Sequence, residues 1–423
     1  MRRQIRQMSF QSRIEPVLPM EAEQLPLMEI AADLRTEVAR LLPGIGASSR
    51  EALALLLRAM NSYYSNKIEG QHTYPADLEL ALQQQFSADM DVRRRQELAV
   101  AHMQVEAKLE PEAHAMEWGG HFSANWVQRI HRELYQQLDE DSRVIVDAQG
   151  KPRAIMLPGE FRTGYVKVGY HEAPPPESLA GLMAHFEFRY RNAAGESTKL
   201  LLAGSALHRL SWIHPFPDGN GRVSRLQNHL LLSHLGMTGG LWSPLRGLAR
   251  RQQDYYNALS AADLPCRNDL DGRGNLTSRG LADFIEFWLK VCLDQVRFME
   301  QMLALDSLQE RFVGLAVQVL YDYGRGPLLH HRSKLRPELL GRALYRLFVE
   351  GKMERGEFKA MLDTSDRTAT RVIANLLTQR LVTSPSRLGA LETGLPFFSL
   401  KYLFPGLWPE AEGVMTPPQA VIE

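Results

Sequence analysis

Between His214 and Arg225 the chain reads HPFPDGNGRVSR, and most residue types in this string have a use beside an anion. Gly219, Asn220 and Gly221 give backbone freedom at the start of a helix, where unpaired N–H groups and the helix dipole attract negative charge. The three residues read as a phosphate cradle. Arg222 and Arg225 are three residues apart, so they project from neighbouring helix positions and can grip further phosphates. Asp218 is a hard oxygen ligand at the cradle's edge, suited to a Mg²⁺ held partly by phosphates. His214 carries a side chain of ordinary pKa about 6.5 and can take a proton at neutral pH. Phe216 reads as an anchor for the loop. Together these groups fit nucleotidyl or phosphoryl transfer to a hydroxyl, with His214 deprotonating the acceptor while cradle and metal stabilise charge on the phosphate. A zinc site on His214 and Asp218 is disfavoured, because Pro215 and Pro217 forbid the helical spacing such a pair would want.

Such a loop needs rigid supports. The almost wholly apolar run Leu200 to Ile213 before it, and Val223, Leu226, Leu230 and Leu231 after it, predict a helix on either side. Upstream, Leu53, Leu56, Leu57, Met60, Tyr64 and Ile68 recur at helical spacing, with a capping box expected from Ser48 and Glu51 and a stop at Gly70. Pro16, Pro19, Pro26 and Pro43 interrupt helical phasing before that, so residues 1–49 read as an extended arm. Helices are also expected over 77–86, 90–109, 123–138, 179–190, 252–262 and 281–303. Val144 to Pro176 differs in texture and reads as a small hairpin or flap closed by a proline run. From residue 303 a third section carries a stripe of Ala369, Val372, Ile373, Leu376 and Leu377, a preceding helix at 355–362, and a turn-rich stretch from Thr383 ending in the β-prone FFSLKY. That is the plan of a winged helix-turn-helix.

The chain has 423 residues, 44% of them hydrophobic and 23% charged, the balance of a globular protein rather than a disordered one. Forty-nine basic residues meet forty-nine acidic ones, so no global field draws the molecule to nucleic acid or membrane. Two cysteines, Cys266 and Cys292, exclude a disulfide framework and a cysteine zinc site. No apolar run long enough to span a bilayer occurs, and the expectation is a cytoplasmic protein without membrane contact. The surplus of basic residues over 365–402 is modest for DNA, so DNA binding, target docking and dimerisation all stay open for the third section.

The string HPFPDGNGRVSR resembles, without departure, the HxFx(D/E)GNGRxxR signature of the Fic family. The resemblance implies an all-α fold with a β-hairpin flap, and transfer of AMP from ATP to Ser, Thr or Tyr hydroxyls of a target protein with Mg²⁺. It implies His214 as catalytic base, Asp218 as metal ligand, and Gly219, Asn220, Gly221, Arg222, Val223, Ser224 and Arg225 as the phosphate-binding run. Within that run Asn220 and Gly221 would form the α-phosphate anion hole and Arg222 and Arg225 the outer-phosphate clamp. The stretch GEFRTGYVKVGYHEAPPP is similar to the family's flap, which would hold the target by strand addition and bring Val168, Gly169, Tyr170 and His171 to the adenine side. Tyr255 and Tyr256 resemble the paired tyrosines near the nucleotide, or else form a core-facing aromatic pair; the eighth residue on, Asn in some relatives, is Asp263. Ser65-Asn66-Lys67-Ile68-Glu69-Gly70 is similar to the (S/T)xxxE(G/N) inhibitory motif, so Glu69 would pair with Arg225 and misdirect ATP, with Ser65 on the same helix face. The implied division is an arm over 1–49, helices with the inhibitory motif over 50–110, a catalytic core over 111–302 and a winged-helix module with tail over 303–423. A second copy of the chain could serve as substrate or dimer partner. A nucleotide-sensing DNA-binding regulator, another donor and a reverse, de-AMPylating reaction are the alternatives.

Overall fold

The computed structural model describes residues 12–41, 45–146, 152–169, 171–272, 274–321 and 335–412. The expected extended arm is instead helical over α1, Glu21–Leu41, with Leu27, Ala31, Leu34, Val38 and Leu41 buried along one face. Proline inside a helix costs about 3 kcal/mol, whereas each large apolar side chain removed from water returns roughly 1.5–3 kcal/mol. Pro26 is therefore carried by the burial of its neighbours.

Next comes α2, Ala47–Ile68, which starts from Gly46 without a side-chain cap, so the expected capping box does not form. The start is set from elsewhere. The Gly46 N–H donates to the Val349 carbonyl at 2.9 Å, and a Cβ on Gly46 would lie 2.5 Å from the Glu350 backbone. The helix ends where expected: Gly70 adopts φ +70°, and Gly70 and Gln71 N–H groups donate to the Lys67 and Asn66 carbonyls at 3.0 and 2.9 Å. This Schellman pair satisfies carbonyls the helix would otherwise leave open. Three helices follow, α3 (Pro75–Leu82), α4 (Met90–Ala115) and α5 (Ala124–Tyr135).

The β texture resolves into two antiparallel ladders, not one hairpin. β1 (Val144–Val146) pairs with β2 (Pro152–Ile155), and β3 (Lys167–Val168) pairs with β4 (His171–Glu172), joined through Gly169 at φ +59°. Tyr170 lies outside the described residues. Then α6 (Leu179–Tyr190) leads to α7 (Glu196–Ile213) and α8 (Asn220–His234), the two helices that flank the loop. Both are buried on nearly all faces, α7 against α8 and α8 against α2, α4 and α5. The helices α9 (Leu245–Arg250), α10 (Gln252–Ala262) and α11 (Ser278–Met302) close this layer, α11 packing along α1.

The remaining chain forms α12 (Leu305–Tyr321), α13 (Pro337–Glu350), β5 (Lys352–Met353), α14 (Arg355–Met361), α15 (Asp366–Thr378), β6 (Val382–Thr383) and β7 (Leu391–Thr393), with the strands in order β5-β7-β6. Ala369, Val372, Ile373 and Leu376 of α15 are buried while Arg367, Thr370 and Arg371 are exposed. FFSLKY is not a strand: it is a 3₁₀ turn, Phe397–Ser399, followed by α16, Leu400–Leu403. Leu400, Leu403 and Phe404 all bury, and that three-and-four spacing suits a helix, not a pleat. The final element is α17, Pro409–Glu412. One continuous apolar cluster runs from Ile14 to Ala411.

Candidate active site

The chain leaves α7 at His214, which adopts a left-handed conformation, φ 51° and ψ 59°, while its N–H still reaches the Leu210 carbonyl at 3.1 Å. A non-glycine residue there is strained and needs support from its surroundings. Arg162 gives it. Its Nε donates to the His214 carbonyl at 2.7 Å, and its other nitrogens to the carbonyls of Gly164 at 3.0 Å and Pro174 at 2.5 Å. The Arg162 N–H also donates to the Pro215 carbonyl at 2.9 Å. One buried guanidinium thus ties the flap to the loop.

The His214 Nδ1 faces the Ser211 carbonyl at 3.3 Å, which calls for a proton on that nitrogen and leaves Nε2 as the acceptor. Burial pushes the His214 pKa down to about 4, the Arg162 charge adding to the effect. The imidazole is neutral at pH 7. Phe216 is fully buried and its ring stacks on His131 with centroids 4.0 Å apart. His131 accepts the Gly159 N–H at Nδ1, 2.8 Å, so its Nε2–H donates to the Asp218 carbonyl at 3.2 Å. Asn220 closes the loop from the other side, Oδ1 accepting the Phe216 N–H and Nδ2 donating to the Phe216 carbonyl, both at 2.8 Å. Its amide group is occupied by the loop, so its backbone N–H is the part left for an anion. Gly219 has φ +78° and a Cβ there would lie 2.2 Å from the Tyr135 hydroxyl, so glycine is demanded twice. The Asp218 side chain is exposed, Oδ1 accepting the Gly219 N–H at 2.6 Å.

The two arginines part company. Arg225 Nη2 donates to Glu69 Oε1 at 2.8 Å and to the Ser65 carbonyl at 2.9 Å, and its Nε to Ser65 Oγ at 3.1 Å. Burial opposes charge on Glu69, but Arg225 and Arg222 outweigh it and hold the carboxyl below its ordinary range. A Cβ on Gly221 would lie 2.1 Å from Glu69 Oε1. The carboxylate therefore sits on the first turn of α8, against the cradle. Arg222 points the other way, into the packing, with Nε donating to Asn66 Oδ1 at 2.8 Å and Nη1 to the Tyr135 hydroxyl at 3.0 Å, while Nη2 meets Gln71 Oε1. It braces the helices and does not line the cavity below. Val223 and Ser224 are buried, and Ser224 Oγ donates to the Asn220 carbonyl at 2.9 Å.

A cavity of about 380 Å³ opens over these groups, lined by Glu69, Ser211, Trp212, His214, Gly221 and Arg225 below, by Val168, Gly169 and His171 of the flap, and by Tyr255, Tyr256, Leu259, Ser260, Asp263 and His208 at the far end. That volume is in the range of small-molecule sites. Tyr255 is buried and Tyr256 exposed, rings 6.0 Å apart. The Tyr256 hydroxyl and Gln252 Nε2 both donate to the Ile68 carbonyl, at 2.6 and 2.9 Å, gripping the end of α2. His171 Nε2 bonds the Trp212 carbonyl at 2.9 Å, with Asp263 3.5 Å from Nδ1 and 3.1 Å from His208. Burial raises the Asp263 pKa, but the two histidines and Arg209 bring it below the ordinary value. Among the described residues no three metal-ligating side chains cluster. Asp218 offers an exposed hard oxygen at the cradle's edge, which fits an ion completed by phosphate oxygens and water.

Sequence reasoning missed Arg162, His131, Tyr135, Asn66 and Gln71, all of them partners of the signature loop from elsewhere in the chain. Asn66 and Arg162 lay inside stretches already singled out, the inhibitory motif and the flap, without being picked out there.

Residues 121–232 match the Fic/DOC family. Over 139 residues, 32% of this chain, the sequence is 35% identical to Protein adenylyltransferase Fic of Drosophila sechellia and 40% identical to that of Drosophila erecta. The chain spans about a quarter of the length of these curated relatives, 27% in each case. Among solved structures it is similar to a Fic family protein from Desulfovibrio desulfuricans G20, 17% identical, TM-score 0.47, covering 87% of this chain and 96% of that one. No helix among the described residues is long and apolar enough to cross a membrane.

Proposed function

We propose that this chain, which carries a Fic/DOC-family segment at residues 121–232, transfers AMP from ATP to a hydroxyl of a protein and restrains itself through Glu69. The observation that carries the reading is the convergence of His214, Gly221, Arg225 and Glu69 on one cavity. In the reaction, His214 Nε2 takes the proton of a Ser, Thr or Tyr hydroxyl, whose oxygen attacks the α-phosphorus. The bond from that phosphorus to the β-phosphate bridging oxygen breaks, and pyrophosphate leaves. The backbone N–H groups at the start of α8 hold the α-phosphate, and the Arg225 guanidinium holds the outer phosphates once Glu69 withdraws. A base of pKa about 4 is weak in the free enzyme; bound phosphates beside the ring raise its proton affinity where it is needed.

Asp218 would hold Mg²⁺, which when bound neutralises charge on the phosphates. With Glu69 on Arg225, its negative charge lies against the cradle and opposes productive binding of a triphosphate. Fitting this division of labour, residues 111–302 would be the catalytic core. The order α13, β5, α14, α15, β6, β7 supports reading the end of the chain as a winged helix-turn-helix. Intact-mass spectrometry of a Glu69→Gly variant after incubation with ATP and Mg²⁺ tests the reaction. A gain of AMP on itself or on an added protein is expected, and a gain of phosphate alone contradicts it.

A further inference from the structure

The helix that delivers Glu69 is braced at both of its ends by the C-terminal section, a relationship that nothing in the active-site chemistry requires. At the start of α2 the Gly46 N–H donates to the Val349 carbonyl at 2.9 Å, and buried Ser49 Oγ donates to buried Thr393 Oγ1 of β7 at 3.0 Å. At its end Lys67 Nζ donates to Glu410 Oε1 at 2.5 Å and the Tyr64 hydroxyl to Glu410 Oε2 at 3.1 Å. The Tyr63 ring lies 5.4 Å from that of Trp408. Between these ends lie about 20 residues, roughly 30 Å of helix at 1.5 Å per residue.

The terminal segment is itself anchored to the core. Arg246 donates from Nε to the Leu407 carbonyl at 2.9 Å and from Nη2 to the Gly406 carbonyl at 2.6 Å, while its guanidinium stacks on Phe298. Trp408 is fully buried. Burial works against charge on Glu410, but Lys67 and Tyr64 outweigh it and keep the carboxyl ionised. The segment therefore forms a wedge between α2 and the helices α9 and α11.

We infer that this C-terminal wedge sets the position of the last turn of α2, so that displacing Glu410 from Lys67 and Tyr64 loosens Glu69 from Arg225 and releases the active site. Lys67 stands two residues before Glu69 on the same turn, and a carboxylate held at 2.8 Å loses its hydrogen bond on a shift of about 1 Å. The inference rests on Glu69 acting as a restraint, yet its mechanical part can be read without turnover. A coupling of this kind is typically worth 5- to 150-fold.

The test compares the full chain with Glu410→Ala and with the charge exchange Lys67→Glu/Glu410→Lys. Amide hydrogen exchange over residues 60–70 should quicken about five-fold or more in Glu410→Ala while that of α7 stays unchanged, and the exchanged pair should return it toward the parent. Incorporation of the α-phosphate label from ATP should rise with it, below the level of Glu69→Gly. Unaltered exchange in Glu410→Ala overturns the coupling, and so does a charge exchange that fails to restore it. Quickened exchange with no label in any variant, Glu69→Gly included, supports the coupling while defeating the enzymatic reading.

Discussion

Glu69 meets Arg225 at 2.8 Å across 156 residues of sequence, with its carboxylate against the Gly221 backbone. The contact joins the end of α2 to the start of α8, and it puts a negative charge at the place best built to receive one. Two further bonds from Arg225 to Ser65 make the match depend on a single helical turn.

Removing that carboxylate should activate. A hydrogen bond to a charged group is worth roughly 1.5–3 kcal/mol, so Glu69→Gly should raise the initial rate of AMP incorporation about 10- to 150-fold. Filter-bound α-label at fixed ATP measures it. A rate equal to the parent's would mean that the pair restrains nothing.

Arg162 should matter for turnover more than for binding. It holds the carbonyl of a strained His214 and two flap carbonyls, and a displacement of about 1 Å at the base costs on the order of 100-fold. In a Glu69→Gly background, Arg162→Gln should lower kcat by about that factor with KM for ATP changed less than about three-fold. Arg162→Lys keeps the charge without the fork and should recover little. Unchanged kcat would show that the loop holds itself.

The pH dependence follows from burial. His214 is driven down to about 4, so its basic form is complete well below the ordinary histidine range of about 6.5. Loss of Glu69 removes a charge that raises the pKa, so the variant should lie no higher. For Glu69→Gly, kcat/KM for ATP should stay level from about pH 8 to about pH 6. A fall centred near 6.5 would indicate a solvent-exposed imidazole.

The contact between α2 and α8 also depends on a buried charge pair. Glu106 of α4 lies 3.3 Å from His229 of α8 and accepts from Asn61 of α2 at 2.9 Å. Burial opposes both charges, yet pairing raises the His229 pKa and lowers that of Glu106. His229 thus adds stability that is complete below its unfolded pKa of about 6.5 and is lost as pH rises through its raised folded value. Glu106 adds stability that is present above its unfolded value and is lost as pH falls through its depressed one. Glu106→Gln should cost about 3–5 kcal/mol and lose the decline above about pH 6.5. Urea unfolding at several pH values checks both, and a variant with the parent's slope would place the titration elsewhere.

What could be read from the chain in advance was what sits close together in it. The loop from His214 to Arg225 announces itself because its prolines, glycines and charges are contiguous, and Gly70 marks the end of α2 by its own conformational freedom. Arg162 could not be picked out, since a buried arginine serving three carbonyls has no local signature. Arg222 and Arg225 look equivalent in the string, and only the distant partners Asn66, Tyr135 and Gln71 turn one of them inward. Pro26 and FFSLKY misled because burial against remote helices outweighed local preference. Asp263 stood out by its spacing, but its link to His171 and His208 belongs to the folded chain.

The measurement that bears most directly on the account pairs ATP labelled at the α-phosphate with ATP labelled at the γ-phosphate, applied to the parent, Glu69→Gly and His214→Ala with Mg²⁺. Label should enter protein from the α-position alone, more in Glu69→Gly than in the parent, and not at all in His214→Ala. Label entering from the γ-position, or α-label persisting without the imidazole, would contradict it.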